Sequence, residues 1–246
     1  MNGTAFRRIL AVETRLFLRD RAAVLVALGL PTAILVVLGL IPALRRADPM
    51  FGGRTFVGYF APSLLVVSMA VSGVNLLAQT LAGYRERGVL RRLATTPVHP
   101  ATLLAAQLVL NVAVMVLSAL LVVVVGRLAF DVPLPRRPVG FTVVFGIGAA
   151  ALLALGLLVA AVARSSRSAG GLSSVLFMTT MFVGGVYVPR FLLPDVVARL
   201  GDYTPPGVQA LLDAWTGTSP RPLPLAIMAV VALAAGAAAA RLFRWE

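Results

Sequence analysis

The sequence contains no lysine and no cysteine, and its single histidine is His99. A phosphate-binding loop of the form G-x-x-x-x-G-K-[ST] needs a lysine to reach the terminal phosphates, so this chain cannot carry one. A Schiff-base lysine is excluded for the same reason. The absence of cysteine excludes disulfides, thiolate nucleophiles and thiolate metal ligands. His99 lies between two loop prolines, where a solvated side chain is expected. We therefore expect a chain that is not an enzyme and that holds no cofactor or metal.

Charged residues are scarce as well. Only 13% of the 246 residues are charged, whereas 59% are hydrophobic. A disordered chain needs low hydrophobicity and high charge, and a soluble domain of this size could not bury so much apolar surface. The composition therefore favours an integral membrane protein.

The uncharged stretches mark the membrane spans, because a charge at the bilayer centre costs about 2.5–3.5 kcal/mol. Six stretches are each long enough for one spanning helix of about 20 residues. The predicted spans are about 22–44, 58–82, 102–126, 140–163, 169–188 and 222–240. The predicted fold is an all-α membrane protein, with one transmembrane domain over residues 1–246.

An even number of spans places both termini on the same side. The segments on that side carry 13 of the 22 basic residues, all of them arginine, and only four acids. Arginine-rich loops face the cytoplasm, so we expect cytoplasmic termini. The use of arginine in place of lysine is typical of a GC-rich bacterial genome, which indicates a multi-pass protein of a bacterial plasma membrane.

Residues 4–21 precede the first span and form an amphipathic pattern. Apolar Phe6, Ile9 and Phe17 alternate with basic Arg7 and Arg15 at helical spacing. Such a helix can lie in the cytoplasmic interface against anionic lipid. A positively charged anchor without a specific structure remains the alternative.

The predicted span cores contain no ionisable residue, which argues against a proton pump or secondary transporter. They do carry uncharged polar residues at helical spacing. Those that could line a translocation path are Ser68, Ser72, Asn75, Gln79, Gln107, Asn111 and Thr180. The alternative is helix–helix packing through small and amide side chains, and the two roles are compatible.

Residues 84–100 join spans two and three. Leu90, Leu93 and Ala94 fall on one side of a short helix and arginines on the other, while Gly88 permits a turn before it and Pro97 ends it. A basic amphipathic helix at a membrane surface is a common feature, so this pattern alone indicates little about function.

The order of these features resembles the permease subunits of type-2 ATP-binding-cassette (ABC) exporters. The resemblance rests on the basic N-terminal helix, the six spans, the loop after span two and the region after span five. The matching loop residues, which the resemblance assigns to ATPase coupling, are Arg85, Glu86, Arg87, Gly88, Leu90, Leu93, Thr96 and Pro97. The matching residues of the external turn are Gly184, Gly185, Pro189, Pro194 and Pro205.

The resemblance also implies partners. Two six-span subunits, identical or paralogous, would pair with separate cytoplasmic ATPase subunits that bind ATP and magnesium. Membrane lipid is the other expected contact, and nucleic acid is not expected. The N-terminal segment would be an elbow helix and the 84–100 loop a coupling helix. Residues 189–220 would form short external helices between spans five and six, with Trp215 at headgroup depth; a simple external loop is the alternative.

Two positions depart from the family pattern. Arg190 stands where an acid or amide is frequent, and Thr204 precedes the later turn where an asparagine is common. The resemblance implies export of a hydrophobic or amphipathic compound such as a drug, an antibiotic or a lipid. The alternatives are a secondary transporter or channel that works without ATP, and a membrane subunit with no transport role.

Overall fold

A computed structural model of the chain describes residues 3–94 and 101–242. Thr96, Pro97 and His99 therefore lie outside the described residues, as do the side chains of Leu93, Ala94 and Phe191. The described chain is built almost entirely from helices, which confirms the predicted all-α class. The helices are α1 (Gly3–Arg19), α2 (Arg21–Leu40), α3 (Phe56–Glu86), α4 (Val89–Ala94), α5 (Ala101–Phe130), α6 (Pro138–Val162), α7 (Ser166–Val183), α8 (Asp195–Tyr203), α9 (Val208–Thr216) and α10 (Pro222–Leu242).

Five of these helices, α2, α3, α5, α6 and α10, are long and apolar enough to cross a membrane. The predicted span 169–188 corresponds to α7, which has 18 residues and is not among the five. At a rise of about 1.5 Å per residue, α7 is about 27 Å long, close to the thickness of a bilayer core. The count of six spans stays a prediction.

The central element of the bundle is α3. In its most apolar window 83% of the residues are buried, against 22% in α2 and in α10. The other helices pack around it, with α2 and α5 on one side and α6 and α7 on another, while α10 lies along α6. Residues of α3 therefore contact most of the other long helices, so a displacement of α3 would change its packing against each of them.

One small β element interrupts the helices. Strands β1 (Ala47–Asp48) and β2 (Arg54–Thr55) form an antiparallel pair in the loop between α2 and α3. Gly52 and Gly53 have φ of 67° and 74° in the turn between the strands, a region that favours glycine. This hairpin was not predicted, since two residues per strand give no alternating pattern to detect.

Two spanning helices contain a π turn, at Leu25–Gly29 in α2 and at Val71–Leu76 in α3. The turn in α3 lies where this helix meets α6 most closely. A Cβ added at Gly156 would clash with the carbonyl oxygen of Gly73, so only glycine allows this backbone approach. Ser173 of α7 donates its hydroxyl to the carbonyl of Val74 at 3.0 Å and so satisfies a backbone acceptor within the π turn.

Candidate functional site

The turn that ends α3 is built around Gly88. Its φ is 68°, and its N–H donates to the carbonyl of Arg85 at 3.0 Å. The chain then reverses into α4, where Leu90 is 1% exposed and packs into the main core, while Arg91 and Arg92 are exposed. Leu90 therefore lies on a buried side of α4 and the two arginines on an exposed side, whereas Ala94 of the predicted apolar side lies outside the residues whose side chains are described. Leu93 belongs to α4, but its side chain lies outside the described residues.

Two side chains at the end of α3 bind the connection between α6 and α7. The Glu86 carboxylate accepts a hydrogen bond from the N–H of Ser166 at 2.8 Å. Arg85 donates from Nη1 to the carbonyl of Ala161 near the end of α6, at 3.3 Å. Ser166 is the first residue of α7, and the N–H groups of a helix's first turn have no partner within the helix. A negative charge at this end also interacts favourably with the helix dipole. The turn after α3 and the α6–α7 connection are thus joined.

The α6–α7 connection is also fixed from within. The Ser165 hydroxyl accepts from the N–H of Ser168 at 3.1 Å, and the Ser168 hydroxyl accepts from the N–H of Ser165 at 2.9 Å. This reciprocal pair is a capping box, which defines where α7 begins. This cap was not predicted, although a serine followed three residues later by a second polar residue is a usable signal for a helix start.

A buried carboxylate lies next to this turn. Glu13 of α1 is 7% exposed, and its Oε2 accepts hydrogen bonds from the Tyr84 hydroxyl and from Nε2 of Gln107, both at 2.6 Å. Burial raises the pKa of the Glu13 carboxyl, although both hydrogen bonds oppose the rise. Arg87 packs over the Tyr84 ring with its guanidinium carbon 5.7 Å from the ring centroid. This cluster joins α1 to α3 and α5.

These contacts place α1, the turn after α3 and the α6–α7 connection at one end of the bundle. They are the same arginine-rich segments that the charge distribution assigns to one side of the membrane. Their common position agrees with that grouping, whereas the assignment of this end to the cytoplasm stays a prediction.

The polar residues of α3 are not equally accessible. Ser68 and Ser72 are fully buried, Asn75 is half-buried and Gln79 is exposed. Their spacing predicts a single face for a regular helix, but the π turn at Val71–Leu76 lies between Ser68 and Gln79 and changes the rotation per residue. Ser68 donates to the carbonyl of Leu65 at 3.1 Å, which is a local contact within α3.

Among the predicted path residues of α5 and α7, Gln107 binds another helix and Asn111 bonds within its own helix. Gln107 binds Glu13, and Asn111 donates to the carbonyl of Gln107 at 2.8 Å. Thr180 is 3% exposed near the end of α7. A direct path role for these residues stays a prediction, and for Gln107 the observed contact also supports the packing interpretation.

The turn after α7, which the resemblance predicts to be external, has the features of a helix stop. Gly185 has φ of 76°, its N–H donates to the carbonyl of Phe182, and the N–H of Val186 donates to that of Met181. This is a Schellman motif, which favours glycine at the left-handed position. A Cβ at Gly184 would lie 2.7 Å from the carbonyl oxygen of Thr180 and 2.9 Å from Val208.

The prolines of the external segment border its short helices. Pro189 precedes a 3₁₀ turn at Arg190–Leu192, Pro194 precedes α8, and Pro205 forms a cis peptide bond with Pro206 between α8 and α9. Arg190, the residue that departs from the family pattern, forms an ion pair with Asp202 of α8 at 2.6 Å. This ion pair joins the external turn to α8.

Two short helices, α8 and α9, are present in the segment, as the resemblance implies. Trp215, which was expected at headgroup depth, does not face outward from the bundle. Its side chain is 3% exposed and packs edge-to-face on Phe141 at 5.6 Å between ring centroids. It lies in a core cluster with Leu35 and Leu64, because α9 packs onto α3 and α6 rather than presenting this face to lipid.

The fold and the joined turns define a multi-pass helical membrane protein. A family model described as "ABC-2 type transporter" matches residues 4–206. The chain therefore belongs to the ABC-2 type transporter family, whose members are the non-catalytic membrane components of ABC transporters. The resemblance seen in the sequence is confirmed.

A curated relative of the chain is also named as a transport permease. The chain is 27% identical over 155 residues to a Bacillus subtilis (strain 168) protein named "Putative transport permease YvfS". The matched segment covers 62% of this chain and 62% of that protein, so the chain spans less than two thirds of the relative's length. No solved structure matches the chain significantly.

Proposed function

We propose that this chain is the permease subunit of an ABC exporter. It moves a hydrophobic or amphipathic compound, such as a drug, an antibiotic or a lipid-like molecule, out of the cell. A separate cytoplasmic ABC ATPase supplies the energy, since a chain without lysine has no phosphate-binding loop. A second permease, identical or paralogous, completes the membrane part.

The observation that carries the proposal is the junction of the turn after α3 with the start of α7. An ATPase that pushes on Arg91 and Arg92 of α4 moves the end of α3 directly. The Glu86–Ser166 and Arg85–Ala161 contacts pass that movement to α6 and α7. Since α7 leads into the external turn, a displacement at one end of the bundle reaches the other end through rigid helices.

The composition of the spans supports a neutral or amphipathic cargo. The predicted spans contain polar residues but no charged ones, and the charged residues of the long helices, such as Arg85, Glu86 and Arg127, lie near the helix ends. A permanently charged ion would therefore find no fixed countercharge in the span cores. Asn75, half-buried within the π turn of α3, is the strongest candidate for the path among these polar residues.

The test is reconstitution of the chain with its ATPase in inside-out membrane vesicles. We expect uptake of a lipophilic dye that requires ATP hydrolysis and disappears when the ATPase is omitted. Uptake that continues without the ATPase would favour a secondary transporter or channel. ATPase binding without transport of any tested amphipathic compound would favour a membrane subunit with no transport role.

A further inference from the structure

A cavity of about 420 Å³ opens beside the Glu13 cluster, between α1, the end of α3 and α5. Its volume lies within the range of pockets that hold small organic ligands, about 300–1,000 Å³. Its apolar wall is formed by side chains that include Phe17, Leu110 and Val114. Polar side chains, among them Glu13, Tyr84 and Asn111, line the same cavity.

Glu13 is the unusual feature of this cavity. It is buried, and both groups that bind its Oε2 are uncharged. Within residues 3–94 and 101–242, Oε1 has no hydrogen-bond partner and no cation forms an ion pair with Glu13. Buried carboxylates are normally paired with a cation or coordinate a metal. The geometry therefore leaves one carboxylate oxygen available to a positively charged group that enters the cavity.

The neighbouring charges favour a cation over an anion. Asp20 and Arg87 also line the cavity. Arg87 donates from Nε to the carbonyl of Gly83 at 3.2 Å and packs over the Tyr84 ring, so its guanidinium is held by these groups. With two carboxylates and one guanidinium, the lining has a net negative charge. Tyr84 and Gln107 already direct their donors to Glu13, and Asn111 directs its amide to the Gln107 carbonyl, which leaves few donors for an anionic ligand.

We propose that this cavity binds the protonated amine of an amphipathic organic cation, with the ammonium group at Oε1 of Glu13 and the apolar part along Phe17, Leu110 and Val114. The inference rests on the proposed function, because it names the class of compound that an exporter of this kind takes up at the end of the bundle carrying α1. The apolar wall supplies affinity, and the carboxylate selects for positive charge.

The test is direct binding to the full chain in phosphatidylcholine nanodiscs, measured by fluorescence anisotropy. The probe is dansylcadaverine, whose aliphatic amine is protonated at pH 7, and its N-acetyl derivative is the neutral match. We expect wild-type protein to bind the amine at least tenfold more tightly than the derivative. Equal affinities of the two compounds would overturn the proposal, since partition into the apolar wall would then explain binding.

Two variants locate the site. Glu13→Gln removes the charge but keeps an oxygen that can accept from Tyr84 and Gln107, so it should fold and should lower affinity for the amine at least tenfold. Asp48→Asn removes one negative charge from the loop at the opposite end of the bundle and should leave binding unchanged. Equal losses in the two variants would indicate a nonspecific effect of net charge and would contradict the site.

A steric variant keeps the proposal testable should Glu13→Gln fail to fold. Thr80 lines the cavity without binding Glu13, so Thr80→Phe fills the space and should weaken binding of both probes. Unchanged binding of dansylcadaverine in Thr80→Phe would place the amine elsewhere and contradict the proposal.

Further measurements distinguish a lipid ligand from a free amine, and a failure of the binding site from a failure of the proposed function. Displacement of the probe by phosphatidylethanolamine would identify a lipid ammonium headgroup as the ligand, and displacement by dodecylamine alone would identify a free amine. Because binding is measured without ATP, a failed binding test leaves ATP-driven export of other compounds untouched. Conversely, amine binding without any ATP-driven export would retain the site and refute the proposed function.

Discussion

The contact between Glu86 and Ser166 gives the most informative perturbation, Glu86→Ala. The bond is 2.8 Å long and lies at an exposed helix N-terminus, where a carboxylate contributes about 0.3–1 kcal/mol. This is small against a total stability of about 5–15 kcal/mol, so the variant should fold and insert normally. It removes, however, the side-chain contact that joins the end of α3 to the first residue of α7.

We expect Glu86→Ala to reduce both the stimulation of the partner ATPase and export, while the complex still assembles. The assay is ATP hydrolysis and dye uptake by the reconstituted complex, compared with the ATPase alone. Glu86→Gln keeps an oxygen that can accept from Ser166 without the charge, and it should retain more coupling than the alanine variant.

Ser165→Ala is the matched control. It removes the cap of the same helix, at a cost of about 0.5–2 kcal/mol, but leaves the contact between α3 and α7 in place. We expect lower thermal stability with coupling preserved. The reasoning would be refuted by wild-type stimulation and export in Glu86→Ala, or by equal losses of coupling in Glu86→Ala and Ser165→Ala.

Three further predictions concern the bundle and its cavity. Gly156→Ala should lower the thermal midpoint of the purified protein, because the added Cβ meets the Gly73 carbonyl and overpacking costs about 1–3 kcal/mol. Gly146→Ala on the same helix is the control, since a Cβ there meets nothing and the midpoint should not fall. Equal midpoints of the two variants would contradict this packing. Asn75→Leu should change the range of exported dyes more than assembly, and loss of the dimer alone would favour the packing role. Burial raises the pKa of Glu13, so lowering the pH protonates its carboxylate and removes the charge that binds the amine. Amine binding to wild type should therefore be weaker at about pH 5.5 than at about pH 7.5. Equal binding at the two pH values would contradict a role for the ionised form of Glu13. The groups facing it are Tyr84, Asp20 and Arg87.

Much of the fold could be predicted because placing a charged residue in the bilayer core costs free energy. The long helices occupy the uncharged stretches, and the turn at Gly88 lies where glycine and the basic residues indicate it. The class of the chain followed from the order of these elements, and family membership confirms it.

The details that the sequence did not predict depend on contacts between distant residues. Glu13 reads as one more polar residue of a surface helix, and only its contact with Tyr84, 71 positions away, shows that it is buried. The π turn in α3 accompanies the Gly73–Gly156 approach, which no local pattern encodes. Trp215 fits an interfacial position by residue type, yet the packing of α9 on α6 buries it.

The central claim is that a separate ATPase drives this chain through the turn after α3. The most direct measurement is purification of the tagged chain from its native membranes in mild detergent, with quantitative mass spectrometry of the proteins that accompany it. We expect a stoichiometric soluble protein with a phosphate-binding loop, and we expect less of it when Arg91 and Arg92 of α4 are changed to glutamate. A chain that purifies without any ATPase, under conditions that preserve a known transporter complex, would contradict the central claim.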